Sequence, residues 1–171
     1  MGKFIGIDLG TTYSLVTHFD ETGRPKIIED EESDKMTPSC VWFNDSGEIT
    51  VGKEARIQLG FDGVVGRFKR EIGTDWKYSF DGNEYSATEL SSEVLKKLYK
   101  SATDKLGDIS EVVITVPANF SSEARVQTKN AAKLAGIGDV KLADEPTAAA
   151  LYYAFEKGGS LNGNYAVYDL G

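Results

Sequence analysis

Two hydrophobic periods divide this chain. Early on, apolar and polar residues alternate with a period of two. This predicts strands over about residues 3–9, 13–19 and 24–29, the last two joined by the turn Asp20-Glu21-Thr22-Gly23. The acidic run Glu29-Asp30-Glu31-Glu32 has no apolar period and reads as a solvated loop. Strands at about 39–43 and 49–51 flank Asn44-Asp45-Ser46-Gly47. A short helix follows at about 53–59, then a glycine-punctuated stretch to Gly73. Residues 76–80 and 84–86, around Asp81-Gly82-Asn83, read as a third hairpin. From Ser86 the period lengthens. Ser86-Ala87-Thr88-Glu89 is a capping box, and Leu90, Val94, Leu95, Leu98, Tyr99 and Ala102 mark one face of a helix to about 106. A buried-type strand at 111–116 stops at Pro117, and a helix at 121–135 is closed by Gly136. After a strand at 140–143, Pro146 opens a helix to about 157. Glu145 or Asp144 takes its N-cap. Residues 158–164 read as a linker and 165–170 as a new strand.

With residues 30–86 set aside, the order is three antiparallel strands, then helix, strand, helix, strand, helix. That order predicts an α/β fold: a mixed five-stranded sheet with helices on both faces, plus an inserted small α+β subdomain. It is similar to the ribonuclease H-like lobe that actin-like ATPases use twice around a nucleotide cleft. The expected division is a core of 1–29 and 107–157, an inserted subdomain with connecting helix at 30–106, and a linker with the first strand of a second lobe at 158–171.

Composition narrows the function. The 171 residues include 19 basic and 27 acidic ones, and a net charge of −8 argues against a nucleic-acid surface. A triphosphate held locally by backbone N–H groups, one lysine and a metal remains compatible with that charge. A single cysteine, Cys40, allows no internal disulfide and suits a reducing, cytoplasmic setting as a buried small hydrophobe. The lone histidine, His18, has no catalytic partner in sequence. No segment is long and apolar enough to span a bilayer, and the N-terminus lacks a signal-peptide pattern.

The candidate chemistry starts at Lys3-Phe4-Ile5-Gly6-Ile7-Asp8-Leu9-Gly10-Thr11-Thr12-Tyr13-Ser14. An apolar strand ends in an aspartate, turns at a glycine beside two hydroxyls, and leaves as a strand. Such a turn can aim N–H groups at an anion, with Asp8 where a magnesium ion or its water would bridge to it. It can equally be a hairpin whose polar groups only satisfy the turn.

Four segments together resemble the Hsp70 chaperone family: Gly6-Ile7-Asp8-Leu9-Gly10-Thr11-Thr12-Tyr13-Ser14, Phe68-Lys69-Arg70-Glu71-Ile72-Gly73, Ile114-Thr115-Val116-Pro117-Ala118-Asn119-Phe120 and Asp144-Glu145-Pro146-Thr147-Ala148-Ala149-Ala150. Tyr168-Asp169-Leu170-Gly171 resembles the start of the family's second phosphate loop and nearly copies Ile7-Asp8-Leu9-Gly10. The short stretch between Gly73 and Ser86 is similar to the compact, divergent bacterial members. The resemblance implies the first lobe of an ATP-binding domain with an actin-like fold, working with ATP or ADP, Mg2+ and, as a further candidate, K+. Gly10, Thr11, Thr12, Tyr13 and Gly171 would contact phosphate, and Lys69 would reach the γ-phosphate and the attacking water. Asp8, Glu145 and Asp169 would hold metal-bound water. Pro117 and Arg125 would couple nucleotide state to a substrate-binding half, although Asn119 stands where many relatives carry an aromatic residue.

The implied intact protein is a stress-response ATP hydrolase. It would cycle unfolded or nascent client proteins with a J-domain co-chaperone and a nucleotide-exchange factor. The lobe alone would bind and hydrolyse ATP weakly. Other readings stay open: a sugar or acetate kinase lobe, a ribonuclease H-like nuclease, a solvated Lys69, a Pro117 that only ends a strand, and an Arg125 that is a helix surface charge.

Overall fold

In a computed structural model the described residues are 3–44, 46–159 and 163–168. The central sheet runs β3-β2-β1-β10-β11, from β1 (Lys3–Asp8), β2 (Tyr13–Phe19), β3 (Pro25–Ile28), β10 (Ile109–Val116) and β11 (Lys141–Asp144). β1, β10 and β11 are parallel, whereas β2 and β3 run antiparallel to β1 and to each other. A two-residue strand, β4 (Thr37–Pro38), adds to the start of β2.

The pleat sorts the side chains. Ile5 and Ile7 of β1, Val16 of β2 and Val112 and Ile114 of β10 are buried in one cluster with Leu90, Val94, Leu95, Leu98 and Ala102 of α2 (Ala87–Leu106). Ala124, Ala131 and Ala132 of α3 (Ser122–Leu134) join them, small enough to let α3 approach α2 closely. Both helices start where side-chain oxygens satisfy free backbone donors. Ser86 and Glu89 form the capping box, and Ser121 Oγ accepts from Ala124 N–H. On the other face, α4 (Glu145–Glu156) contacts β10 and β11 but buries none of its residues. An apolar groove of about 670 Å³ lies between it and the sheet, walled by Phe4, Phe19, Leu151, Tyr152 and Phe155.

The insertion builds a second, smaller sheet, β6-β5-β7, from β5 (Cys40–Phe43), β6 (Ile49–Val51) and β7 (Val64–Gly66), with α1 (Lys53–Ile57) against it. Its hairpin, β8 (Lys77–Phe80) and β9 (Asn83–Ser86), stacks Tyr78, Phe80 and Tyr85 on the buried Phe43, the closest ring centroids 4.2 Å apart. β4 and β7 fall where the sequence reading placed no element. Strands this short carry no readable alternation, and pairing partners far along the chain create them.

Residues 165–168, expected to begin a strand, form none; the Tyr165 ring lies 6.1 Å from that of Tyr153 on α4. Asp20 closes the β2–β3 turn, its Oδ1 accepting from Thr22 Oγ1, Thr22 N–H and Arg24 N–H. The Thr22 hydroxyl, then the Arg24 amide, hold its carboxyl well below the usual aspartate range. A depressed folded pKa means this support is present above the unfolded value and lost as pH falls below about 4. Asp20→Asn is therefore expected to flatten the acid dependence of amide exchange in this hairpin, measured by NMR.

Cys40 is 1 % exposed, and burial pushes its thiol up to about 11. At pH 8 its thiolate fraction, and hence its alkylation rate, should be roughly 100-fold below that of a free thiol. Rapid labelling of the folded protein would contradict that burial.

Candidate active site

Because β1, β10 and β11 are parallel, their C-terminal ends lie on one edge of the sheet, where ligands bind in open α/β sheets. Asp8 ends β1, Thr115 and Val116 end β10, and Asp144 ends β11 one residue before Glu145. The turn Gly10–Tyr13 leaves from the same edge into β2.

A closed ring of hydrogen bonds holds that turn. Gly10 N–H donates to Ser14 Oγ at 3.0 Å, the Ser14 and Ser39 hydroxyls lie 2.9 Å apart, and Ser39 Oγ–H donates back to Gly10 O at 2.7 Å. Ser39 N–H also donates to Thr12 O. Both serines are buried, so the ring is fixed before any ligand arrives. A Cβ on Gly10 would sit 2.0 Å from the Tyr13 carbonyl oxygen, a clash no side-chain motion relieves. Glycine is therefore needed for close approach, not donation, since its N–H is committed to Ser14. Among the described residues the N–H and hydroxyl groups of Thr11 and Thr12 have no protein partner. They are the turn's free donors for an anion.

Lys69 differs from the solvated helix-end charge its neighbours suggest. It is 5 % exposed, in a 3₁₀ turn (Phe68–Glu71) anchored by buried Phe68 and Ile72. Its Nζ donates to Glu145 Oε1 at 2.5 Å, across 76 residues, and lies 6.0 Å from the Phe120 ring centroid. Gly73, with φ +85°, ends this segment against α3, where a Cβ would meet Ala124 N at 2.7 Å. Glu145 occupies the first position of α4 and Asp144 the N-cap. This shift of one residue leaves the Glu145 carboxylate free to meet Lys69.

Asp8 Oδ1 accepts from Thr115 Oγ1–H at 2.7 Å. Asp8 and Glu145 are separated by β10, so their backbones are about 10 Å apart at ordinary strand spacing. That span suits a hydrated ion held through water better than one held directly. Carboxylate oxygens are the donors Mg2+ prefers, so the residues present fit it. Among the described residues no three metal-binding side chains converge. Asp169 and Gly171, the other two site residues expected from the sequence, lie outside the described residues.

Arg125 is more than a surface charge. Its Nη2 donates to Asp144 Oδ1 at 2.7 Å and to Ala118 O at 3.3 Å, and its Nε donates to Phe120 O at 3.4 Å. It thereby ties the turn after Pro117 to the residue beside Glu145. The pair is about one-third exposed, so screening keeps its worth modest. Arg125→Ala should cost about 1 kcal/mol in chemical denaturation, most of it from the carbonyl bonds of the Pro117 turn.

Sequence reading missed Thr115, Ser14, Ser39 and Phe120. Only Thr115 left a signal, a hydroxyl residue within a buried strand. Among the described residues the His18 side chain bonds only the neighbouring Phe19 carbonyl. Among the described residues no helix is long and apolar enough to cross a membrane. In a comparison with protein families, the model described as Hsp70 protein matches residues 4–80 and 76–171.

Proposed function

This chain belongs to the Hsp70 family, and from that premise we propose that its sheet edge binds the phosphates of Mg-ATP and, in the intact protein, supports the hydrolysis that drives client binding and release. As an Hsp70-type chaperone ATP-binding domain with an actin-like α/β fold, it has nucleotide as its cofactor. What carries the finer reading is the buried Lys69–Glu145 pair at 2.5 Å, on the sheet edge that also bears Asp8 and the preformed Gly10–Tyr13 turn. Burying a lysine needs a partner and a reason.

Within this reading, Thr11 and Thr12 donate to phosphate oxygens, and Tyr13 flanks them at the start of β2. Bound Mg2+ would be held through water by Asp8, Glu145 and Asp169, and would neutralise charge on the transferring phosphoryl group. Thr115 orients the Asp8 carboxylate. Lys69 supplies a fixed positive charge, and its contact with Glu145 keeps the ammonium aimed along the edge. The core of 1–29 and 107–157 carries the turn, Asp8 and Glu145, while the insertion at 30–106 delivers Lys69. Gly171 would belong to a matching loop on a second lobe, with 158–171 leading to it. Pro117 and Arg125, joined to Asp144, would relay nucleotide state to a client-binding half. K+, J-domain and exchange-factor partners, a stress role and a cytoplasmic place belong to the same proposal. The buried, unpaired thiol suits a reducing compartment.

One wall of a cleft supplies phosphate contacts without enclosing the base. These 171 residues should therefore bind Mg-ATP more weakly than micromolar. Calorimetric titration with Mg-ATP, ADP and ATP plus a chelator tests this. Weak binding that needs the metal and is competed by ADP supports it. No heat at millimolar nucleotide, or metal-independent binding, refutes it.

A further inference from the structure

Helix α4 is apolar on every side. From Pro146 to Phe155 it carries no charged residue, whereas α1, α2 and α3 all carry lysines and carboxylates. A helix without a polar face is stable in water only when it is covered on more than one side. Yet α4 buries none of its residues. Its Leu151, Tyr152, Tyr153 and Phe155 are 45–65 % exposed, and so are Phe4 and Phe19 on the sheet beside it.

The sheet face next to α4 is open in a way that matches a helix. α4 packs over β10 and β11. Phe4 of β1 and Phe19 of β2 stand on the same side of the sheet, opposite the α2 core, and wall the groove of about 670 Å³. Its floor is low at Gly6, which has no side chain, and at Thr17, whose hydroxyl donates back to Gly6 O at 3.2 Å. From β1 to β3 the strip spans two strand spacings, about 10 Å, and a helix with its side chains is about 10 Å across. One further helix fits there.

Charge and area select that helix. At a net charge of −8, two copies of the chain repel over most of their surface. The exception is the face of α4 and its groove, whose carboxylates sit at opposite ends: Glu111 is paired with Lys141 at 2.9 Å, and Asp8 is bonded to Thr115. At about half exposure, the six large side chains present roughly 600 Å² of apolar surface. A standard interface takes roughly 800 Å² from each partner, a little over half of it apolar. Ridge and groove lie side by side on one face, so the surface is complementary to itself, as two-fold pairing requires.

We propose that two copies of this chain pair through this face about a two-fold axis, each laying its α4 into the other's groove over β1, β2 and β3. The test is sedimentation equilibrium of the 171-residue chain from about 1 µM to about 200 µM, which brackets micromolar pairing. The apparent mass should rise from that of one chain toward that of two. Leu151→Asp on α4 and Phe19→Asp on β2 should each weaken pairing 10-fold or more, since each buries an unpaired charge at the contact. Both side chains are exposed in the single chain, so far-UV circular dichroism should be unchanged. Ile57→Asp, at a 70 % exposed side chain on α1, should leave pairing as it is. A chain that keeps the mass of one copy throughout overturns the proposal, as does pairing that survives either Leu151→Asp or Phe19→Asp. A monomer that takes up an apolar dye, lost in both of those variants, also overturns it and gives the groove to a small apolar ligand instead.

Discussion

Gly10→Val should abolish detectable Mg-ATP binding, weakening it at least 10-fold, and should destabilise the protein by about 2 kcal/mol as forced overpacking does. The cause is local. A Cβ at this position falls 2.0 Å from the Tyr13 carbonyl oxygen, so the turn must open. Opening it breaks the ring through Ser14 and Ser39, which are buried and have no water to replace the lost bonds. The Thr11 and Thr12 donors then lose their common aim. Urea denaturation separates the two losses, because Ser39→Ala should match much of the stability cost while leaving glycine's close approach intact. A Gly10→Val protein with wild-type nucleotide affinity would contradict this role for the turn.

Lys69→Met carries the second large effect. The methionine fills similar volume but leaves Glu145, whose side chain is 23 % exposed, without its cation. Breaking a fully buried pair costs about 3–5 kcal/mol, and the partial hydration of Glu145 lowers the expected cost to about 2 kcal/mol. Adding Glu145→Gln should recover about 1 kcal/mol or more, because the neutral amide no longer needs the ammonium. That non-additivity in a double-mutant cycle is the sign of a direct pair. Additive effects would mean that the two side chains act independently in solution. Nucleotide affinity should not recover in the double variant, since the positive charge and the carboxylate are both gone.

Local chemistry made much of this fold legible in the sequence. The alternation around Ile5 and Ile7 marks the sheet face that packs on α2, and the Ser86–Glu89 box starts α2 as the spacing predicts. The mixed sheet follows from element order. What could not be read depends on residues distant in sequence. β4 and β7 are too short to show a period and exist because β2 and β5 pair with them. The burial of Lys69 is invisible in Arg67-Phe68-Lys69-Arg70, where charges flank it. It follows from Phe68 and Ile72 sinking into the core and from Glu145 arriving 76 residues later. Likewise Arg125 looks like a surface residue until β11 brings Asp144 beside it. Motif resemblance pointed to Asp8, Lys69 and Glu145 together; their register and pairing came from the fold.

The central claim is that one edge of the sheet receives the phosphates of Mg-ATP. An amide-resolved NMR titration with Mg-ATP tests it most directly. The account predicts saturable shifts at Thr11, Thr12, Lys69 and Glu145 that vanish when the metal is chelated. Saturable shifts confined to the groove under α4, with those four residues unmoved, would contradict it.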